Sequence, residues 1–218
     1  PLVALPGSPD RVVPVEEAAG TPIEQVMAGS CTNGSWEDMW SVTQVVRGQR
    51  VHPSVSFVVF PGSHRILEVM AREGLVQDLL AAGVVISEST CGACPGIGHV
   101  PASGARSLRA FNRNFPGRSG TKDDQVYLCS SVVAAASALT GVITDPRSRP
   151  PLPALVLPLL PPREQAHLAR VPLFLRREIV CDGVVPFGGA AVAEGFADGG
   201  QVEVVGVHCG ADRGDGLV

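Results

Sequence analysis

The sequence predicts a layered α/β fold built on a mostly parallel sheet. Extended apolar segments alternate with segments of helical periodicity, and most of the extended segments run into a Gly-containing loop. The composition then changes after Asp145-Pro146-Arg147. The organised domain is therefore expected over residues 1–147, with a Pro/Gly-rich tail or linker over 148–218.

The elements follow in order. Residues 1–14 are turn-rich and partly extended, and Val12 to Glu17 leads to a turn at Gly20-Thr21-Pro22. Ile23 to Ala28 reads as a strand ending at Gly29. Ser35 is placed to cap a helix whose first turn holds Glu37 and Asp38, where the helix dipole favours acids. Met39, Val42, Val45 and Val46 continue it at helical spacing to Gly48. Val55 to Phe60 is a strand, His64 to Arg72 a helix, and Leu75 to Ala82 a further helical segment after Gly74. Val84 to Ile86, Ser107 to Phe111 and Val126 to Cys129 are extended, and Ser130 or Ser131 caps a helix over Val132 to Leu139. Beyond the boundary, Arg149 to Pro162 carries six prolines, which excludes a long helix or a central strand. A short helix is expected at Arg163 to Arg170 and a strand at Gln201 to Val207.

Composition bounds the function. The chain has 218 residues, 45% of them hydrophobic, and a formal charge of -4 that suggests neither a nucleic-acid nor a membrane surface. No apolar run reaches the roughly 18 residues of a membrane span. Aromatic residues are 5% of the chain, and no stacking platform for single-stranded nucleic acid is visible. Opening at Pro1 in a strand-like Leu2-Val3-Ala4-Leu5, the sequence reads as a piece of a longer polypeptide. Its six cysteines do not make a disulfide scaffold at this length. Without a signal peptide they point to a reducing, cytoplasmic setting and to metal or redox use.

Cys91-Gly92-Ala93-Cys94 lies in a Gly/Pro-rich loop. A redox dithiol normally opens a helix, which Pro95-Gly96 disfavours. Structural zinc wants four ligands, and the chain has no second pair, only His99 nearby. Adding Cys31, which follows an earlier strand, gives three thiols, a set that suits one iron–sulfur cluster with a fourth iron open to substrate. In open α/β sheets such strand-end loops line the ligand crevice.

Three blocks carry a resemblance: Gly29-Ser30-Cys31-Thr32-Asn33-Gly34-Ser35-Trp36-Glu37-Asp38-Met39, then Cys91-Gly92-Ala93-Cys94-Pro95-Gly96, then Phe111-Asn112-Arg113-Asn114-Phe115-Pro116-Gly117-Arg118. In order and spacing they resemble the aconitase / isopropylmalate dehydratase superfamily, over about Pro9 to Arg147. The resemblance implies the three-layer α/β/α domain of those enzymes that holds a 4Fe–4S cluster. It implies Cys31, Cys91 and Cys94 as ligands, Asn112 beside the cluster, and Arg113 and Arg118 on substrate carboxylates. Asn33 could donate to the cluster sulfurs or substrate, though turn chemistry explains it equally well. Gly120-Thr121-Lys122-Asp123 and the stretch from Ala138 to Arg147 look most like short aconitate hydratases, which interconvert citrate and isocitrate. The 3-isopropylmalate dehydratase large subunit and homoaconitase are the alternatives, and a non-catalytic iron–sulfur module is the alternative of another class.

The ligand implied is a hydroxy di- or tricarboxylate. The family's histidine and acidic residues from its first two domains, and the serine base of its swivelling domain, match nothing here. Those missing domains, or a small swivel-domain subunit, are the implied partners. Other residues read as structural: Cys129 as a buried small hydrophobe, Cys181 and Cys209 as incidental, Trp36 and Met39 as core, and His64 and His99 as surface or supporting groups.

Overall fold

A computed structural model describes residues 1–158. The expected helix at Arg163 to Arg170 and strand at Gln201 to Val207 lie outside the described residues, as do Cys181 and Cys209. The elements run β1 (Leu2–Ala4), β2 (Val12–Pro14), α1 (Val15–Ala18), β3 (Gln25–Gly29), α2 (Ser30–Asn33), α3 (Trp36–Val46) and β4 (Ser56–Phe60). Then come α4 (His64–Arg72), α5 (Leu75–Ala81), β5 (Val85–Ile86), β6 (Arg106–Arg109), β7 (Gln125–Leu128), α6 (Ser131–Thr140) and a 3-10 turn at Pro146–Ser148.

The strands form one seven-stranded sheet in the order β2-β1-β7-β6-β3-β4-β5. The five strands from β7 to β5 are mutually parallel, and the β1–β2 hairpin adds antiparallel to β7. This is the expected α/β fold with a mostly parallel sheet. The central strands are buried on both faces, as parallel strands are. In β4, Phe57, Val58, Val59 and Phe60 are all inside.

Alternation sorts the two faces. Val26, Ala28, Phe57, Val59, Leu108 and Ala110 face a core shared with residues of α3, α4, α5 and α6. Met27, Val58, Phe60, Val126 and Leu128 face the other way, where Ala93, Phe111 and the half-buried Cys94 cover them. The cysteine-bearing loop between β5 and β6 is thus part of the packing on that face.

Local signals explain the helix that borders the site. Ser35 Oγ accepts from the Asp38 backbone N–H at 3.2 Å, and the Asp38 carboxylate accepts from the Ser35 N–H at 3.1 Å, a reciprocal capping box. The same carboxylate accepts from Ser131 Oγ at 3.3 Å, tying the starts of α3 and α6 together. Ser35→Ala is expected to cost about 1 kcal/mol. That lowers the melting temperature by about 2–4 °C in a thermal unfolding experiment.

Candidate functional site

β3, β4 and β5 are neighbours in register, with Gly29 opposite Phe60 and Val59 opposite Ile86. Their carboxyl ends therefore form one edge, and the chain leaving each of them builds the candidate site. At the end of β3 the backbone turns sharply. Gly29 has φ +109°, and Ser30, at φ +63°, is the one non-glycine residue with positive φ among the described residues. A Cβ on Gly29 would lie 2.1 Å from the Phe60 carbonyl oxygen, so only glycine fits. The turn leads into α2, a single turn of helix on which Cys31 is exposed. Cys31 was expected in a loop; the positive φ angles at Gly29 and Ser30 wind the chain into helix immediately after the strand instead.

Cys91 and Cys94 lie beyond β5 in a run of tight turns. The Cys94 N–H donates to the Cys91 carbonyl at 3.1 Å, Gly96 N–H to Ala93 at 3.1 Å, and Ile97 N–H to Gly92 at 2.8 Å. Cys91 is exposed and Cys94 half-buried. This loop is fastened to the sheet by a buried polar network. Arg109, 1% exposed, donates from Nε to Ser107 Oγ at 2.7 Å, and from its terminal nitrogens to Gln25 Oε1 at 2.9 Å and the Ala93 carbonyl at 3.4 Å. Ser107 Oγ donates to Gln25 Oε1 at 2.7 Å, and Gln25 Nε2 donates to the His99 carbonyl at 3.2 Å. The His99 ring meets Phe60 edge-on at 5.3 Å. Two strands thus grip the loop at Ala93 and at His99.

The third block lies beyond β6. Arg118 is half-buried and donates to Cys94 Sγ at 3.4 Å. A Cβ on Gly96 would fall 2.1 Å from the Ser119 carbonyl oxygen, so the cysteine loop and the Arg118 segment are in direct backbone contact. Asn112 and Arg113 are exposed, and Arg113 enters none of the ion pairs among the described residues. Asn33 Nδ2 donates to the Ala110 carbonyl at 2.6 Å, which binds the end of α2 to the chain just before Asn112. Asn114 is buried and donates from Nδ2 to the Leu5 and Val126 carbonyls at 2.8 and 3.2 Å, which anchors the exposed pair just before it.

The electrostatics follow from burial. Desolvation pulls the Arg109 guanidinium down to about 10, opposed by Asp124 and Cys94 and reinforced by Arg118. It remains cationic at neutral pH. Burial raises the Asp124 carboxyl above the ordinary range, against the pull of Arg109. Burial also pushes the Cys129 thiol well up, and Cys129 packs on the main core, as expected of a small hydrophobe.

The structure thus joins Cys94 to Arg118 directly and puts Cys31 and Cys91 exposed on segments leaving the same sheet edge. Among the described residues, no three Cys, His, Asp or Glu side chains cluster as ligands of a single metal ion. A cubane asks for something else, since each thiolate anchors a different iron. The donor set suits it: three thiols outside any disulfide on strand-end segments, with an arginine on one of them. Sequence reasoning missed Arg109, Ser107, Gln25 and Asn114. The signal available was the pair Ser107 and Arg109, two polar residues on one face of a buried strand.

The aconitase family model (aconitate hydratase) matches residues 3–141. The 3-isopropylmalate dehydratase large subunit 1 of Methanopyrus kandleri is 47% identical over 149 residues, covering 67% of this chain and 35% of the relative. Large subunit 2 of the same enzyme from Rubrobacter xylanophilus is 46% identical over 150 residues, covering 68% and 35%. The large subunit from Heliobacterium modesticaldum is 44% identical over 149 residues, covering 67% and 35%. The chain spans about a third of the length of these relatives.

Proposed function

The chain belongs to the aconitase family, and from that membership we propose that it is the cluster-holding part of a hydro-lyase for a hydroxy di- or tricarboxylate. The relatives named above are 3-isopropylmalate dehydratase large subunits, so they favour the isopropylmalate alternative over aconitate hydratase and citrate. The observation that carries the reading is the placement of Cys31, Cys91 and Cys94 on segments leaving neighbouring strand ends, with Arg118 on Cys94.

Cys31, Cys91 and Cys94 would hold the 4Fe–4S cluster. When bound, it supplies a Lewis-acidic iron that polarises a substrate hydroxyl as leaving group. The exposed guanidinium of Arg113 offers a bidentate fork to a substrate carboxylate, a geometry lysine lacks. Arg118, held at Cys94, places a second cation beside the reacting end of the substrate. Asn112, exposed beside Arg113, would donate to the cluster or substrate, and Asn33, whose amide donates to the Ala110 carbonyl, holds the end of α2 at the rim. A base that removes the carbon-bound proton is supplied by another segment or by a small swivel-domain subunit, and the assembly works in the cytoplasm.

The test is anaerobic reconstitution with iron and sulfide, followed by mixing with the remaining domains and small subunit of a 3-isopropylmalate dehydratase. Appearance of the alkene from 3-isopropylmalate, with little from citrate, is expected. Arg113→Lys is expected to cut kcat/KM at least about tenfold by losing the bidentate contact. A cluster without turnover of either substrate would favour a non-catalytic iron–sulfur module. Turnover of citrate alone would restore the aconitate hydratase reading.

A further inference from the structure

We propose that Arg109 is a positioning residue: with Gln25 and Ser107 it forms a buried polar clamp that holds the Cys91–Cys94 loop against the sheet and sets where the two sulfurs stand. The loop's own hydrogen bonds are short-range turns, which shape it but do not place it on the domain. Its side-chain packing on the sheet is small: Ala93 and Cys94 join the Met27–Phe60 face, and the His99 ring meets Phe60 edge-on. Two polar bonds tie it to the strands themselves: Arg109 to the Ala93 carbonyl, between the two cysteines, and Gln25 to the His99 carbonyl five residues after Cys94, while Arg118 holds Cys94 Sγ from the segment beyond β6.

The clamp is built for rigidity. Gln25 Oε1 accepts from both Ser107 and Arg109, and Ser107 Oγ accepts from Arg109 while donating to Gln25. β3 and β6 are paired with Gln25 opposite Ser107 and Met27 opposite Arg109, so the three side chains share one face by register. A cation this deeply buried has no role at a surface, and its removal would leave buried acceptors unpaired. Its bond to the Ala93 carbonyl, the residue before Cys94, sets the clamp directly against the cysteine loop.

The reading of the thiols as cluster ligands is needed only for the second of two readouts. The first is amide hydrogen exchange of the full chain without metal. Arg109→Met keeps the apolar stem and removes the fork. Exchange across 92–99 is expected to quicken about tenfold or more, while β3 and β4 amides change little. Arg109→Lys keeps the charge beside Asp124 but cannot make the three bonds, so it restores melting temperature while the loop still exchanges fast. A merely structural arginine would make the two properties fall and recover together. Ser107→Ala removes one hydroxyl, with the bond it accepts from Arg109 and the bond it donates to Gln25, and gives a milder form of the same pattern should Arg109→Met fail to fold. The second readout is iron retention after anaerobic reconstitution, followed by visible absorbance, with faster loss expected in Arg109→Met and Arg109→Lys. Wild-type loop exchange in Arg109→Lys and Ser107→Ala, or equal quickening across the whole sheet, would overturn the proposal. Failure of the wild type to take up iron would sink the cluster reading and leave the clamp to be decided by exchange alone.

Discussion

Cys94→Ser leaves the chain unable to hold a full cluster. After anaerobic reconstitution, iron per chain is expected to fall from about four towards background, with the visible sulfur-to-iron absorbance lost. The thiolate is the anchor of such clusters; a serine hydroxyl does not deprotonate near neutral pH and is a far weaker ligand for iron. Cys94 is also the least replaceable thiol by position. It is half-buried against the Met27–Phe60 face and carries the Arg118 contact, so no solvent-exposed neighbour can swing in for it. Cys31→Ser is expected to behave alike although its thiol is exposed on a different segment. Cys129→Ala is the control: that sulfur packs in the core and its thiol is held protonated by burial, so iron content is expected to stay at wild type. Unchanged iron in Cys94→Ser, or equal loss in Cys129→Ala, would overturn the ligand assignment.

How far the sequence foretold this arrangement depends on the range of the interaction. Ser35 and Ser130 announce helices because a cap is made with the next few residues; each accepts from the backbone N–H three positions on. Ser56–Phe60 announces a buried strand because four consecutive apolar side chains have no solvent face to point to. The β1–β2 hairpin was harder. Its strands are three residues each and β2 ends in Pro14, so neither carries a periodicity to read. The short helix α2 was missed for a related reason: it follows a turn in which Ser30 takes a positive φ, and a serine at positive φ leaves no local mark.

At the site the same division holds. Cysteines in separate blocks could be grouped because their chemistry is restrictive and their spacing resembles one family. Arg109 could not, because alternation shows that Ser107 and Arg109 share a face but not that Gln25 lies beside them or that Ala93 lies above. The citrate reading rested on short stretches such as Gly120–Asp123, whereas the relatives over the whole matched region are 3-isopropylmalate dehydratase large subunits. Those residues form turns between β6 and β7, and nothing in turn chemistry distinguishes a tricarboxylate from an isopropyl-bearing dicarboxylate.

Gly29→Ala is the single-methyl change expected to damage the fold most. Gly29 has φ +109° and ψ −130°, a region that alanine enters only with strain, at roughly 1–3 kcal/mol. The added Cβ would also lie 2.1, 2.8 and 3.0 Å from the Phe60 carbonyl oxygen, carbonyl carbon and nitrogen. Those are backbone atoms of the paired central strand, so no side-chain rotation relieves the clash. Moving β4 away would disturb Phe60, which packs edge-on to both His99 and Phe111, and so would carry the damage into the cysteine loop. Strain and steric displacement together are expected to cost about 3–5 kcal/mol. The corresponding fall in melting temperature is about 10 °C or more, or outright failure to fold. Gly74→Ala separates the two causes. Gly74 also has positive φ, at +81°, but a Cβ there meets nothing within 4 Å, so it is expected to cost only about 1 kcal/mol. If the two variants melt together, the close approach of β3 to Phe60 contributes nothing, and the sharp exit that presents Cys31 owes its shape to backbone preference alone.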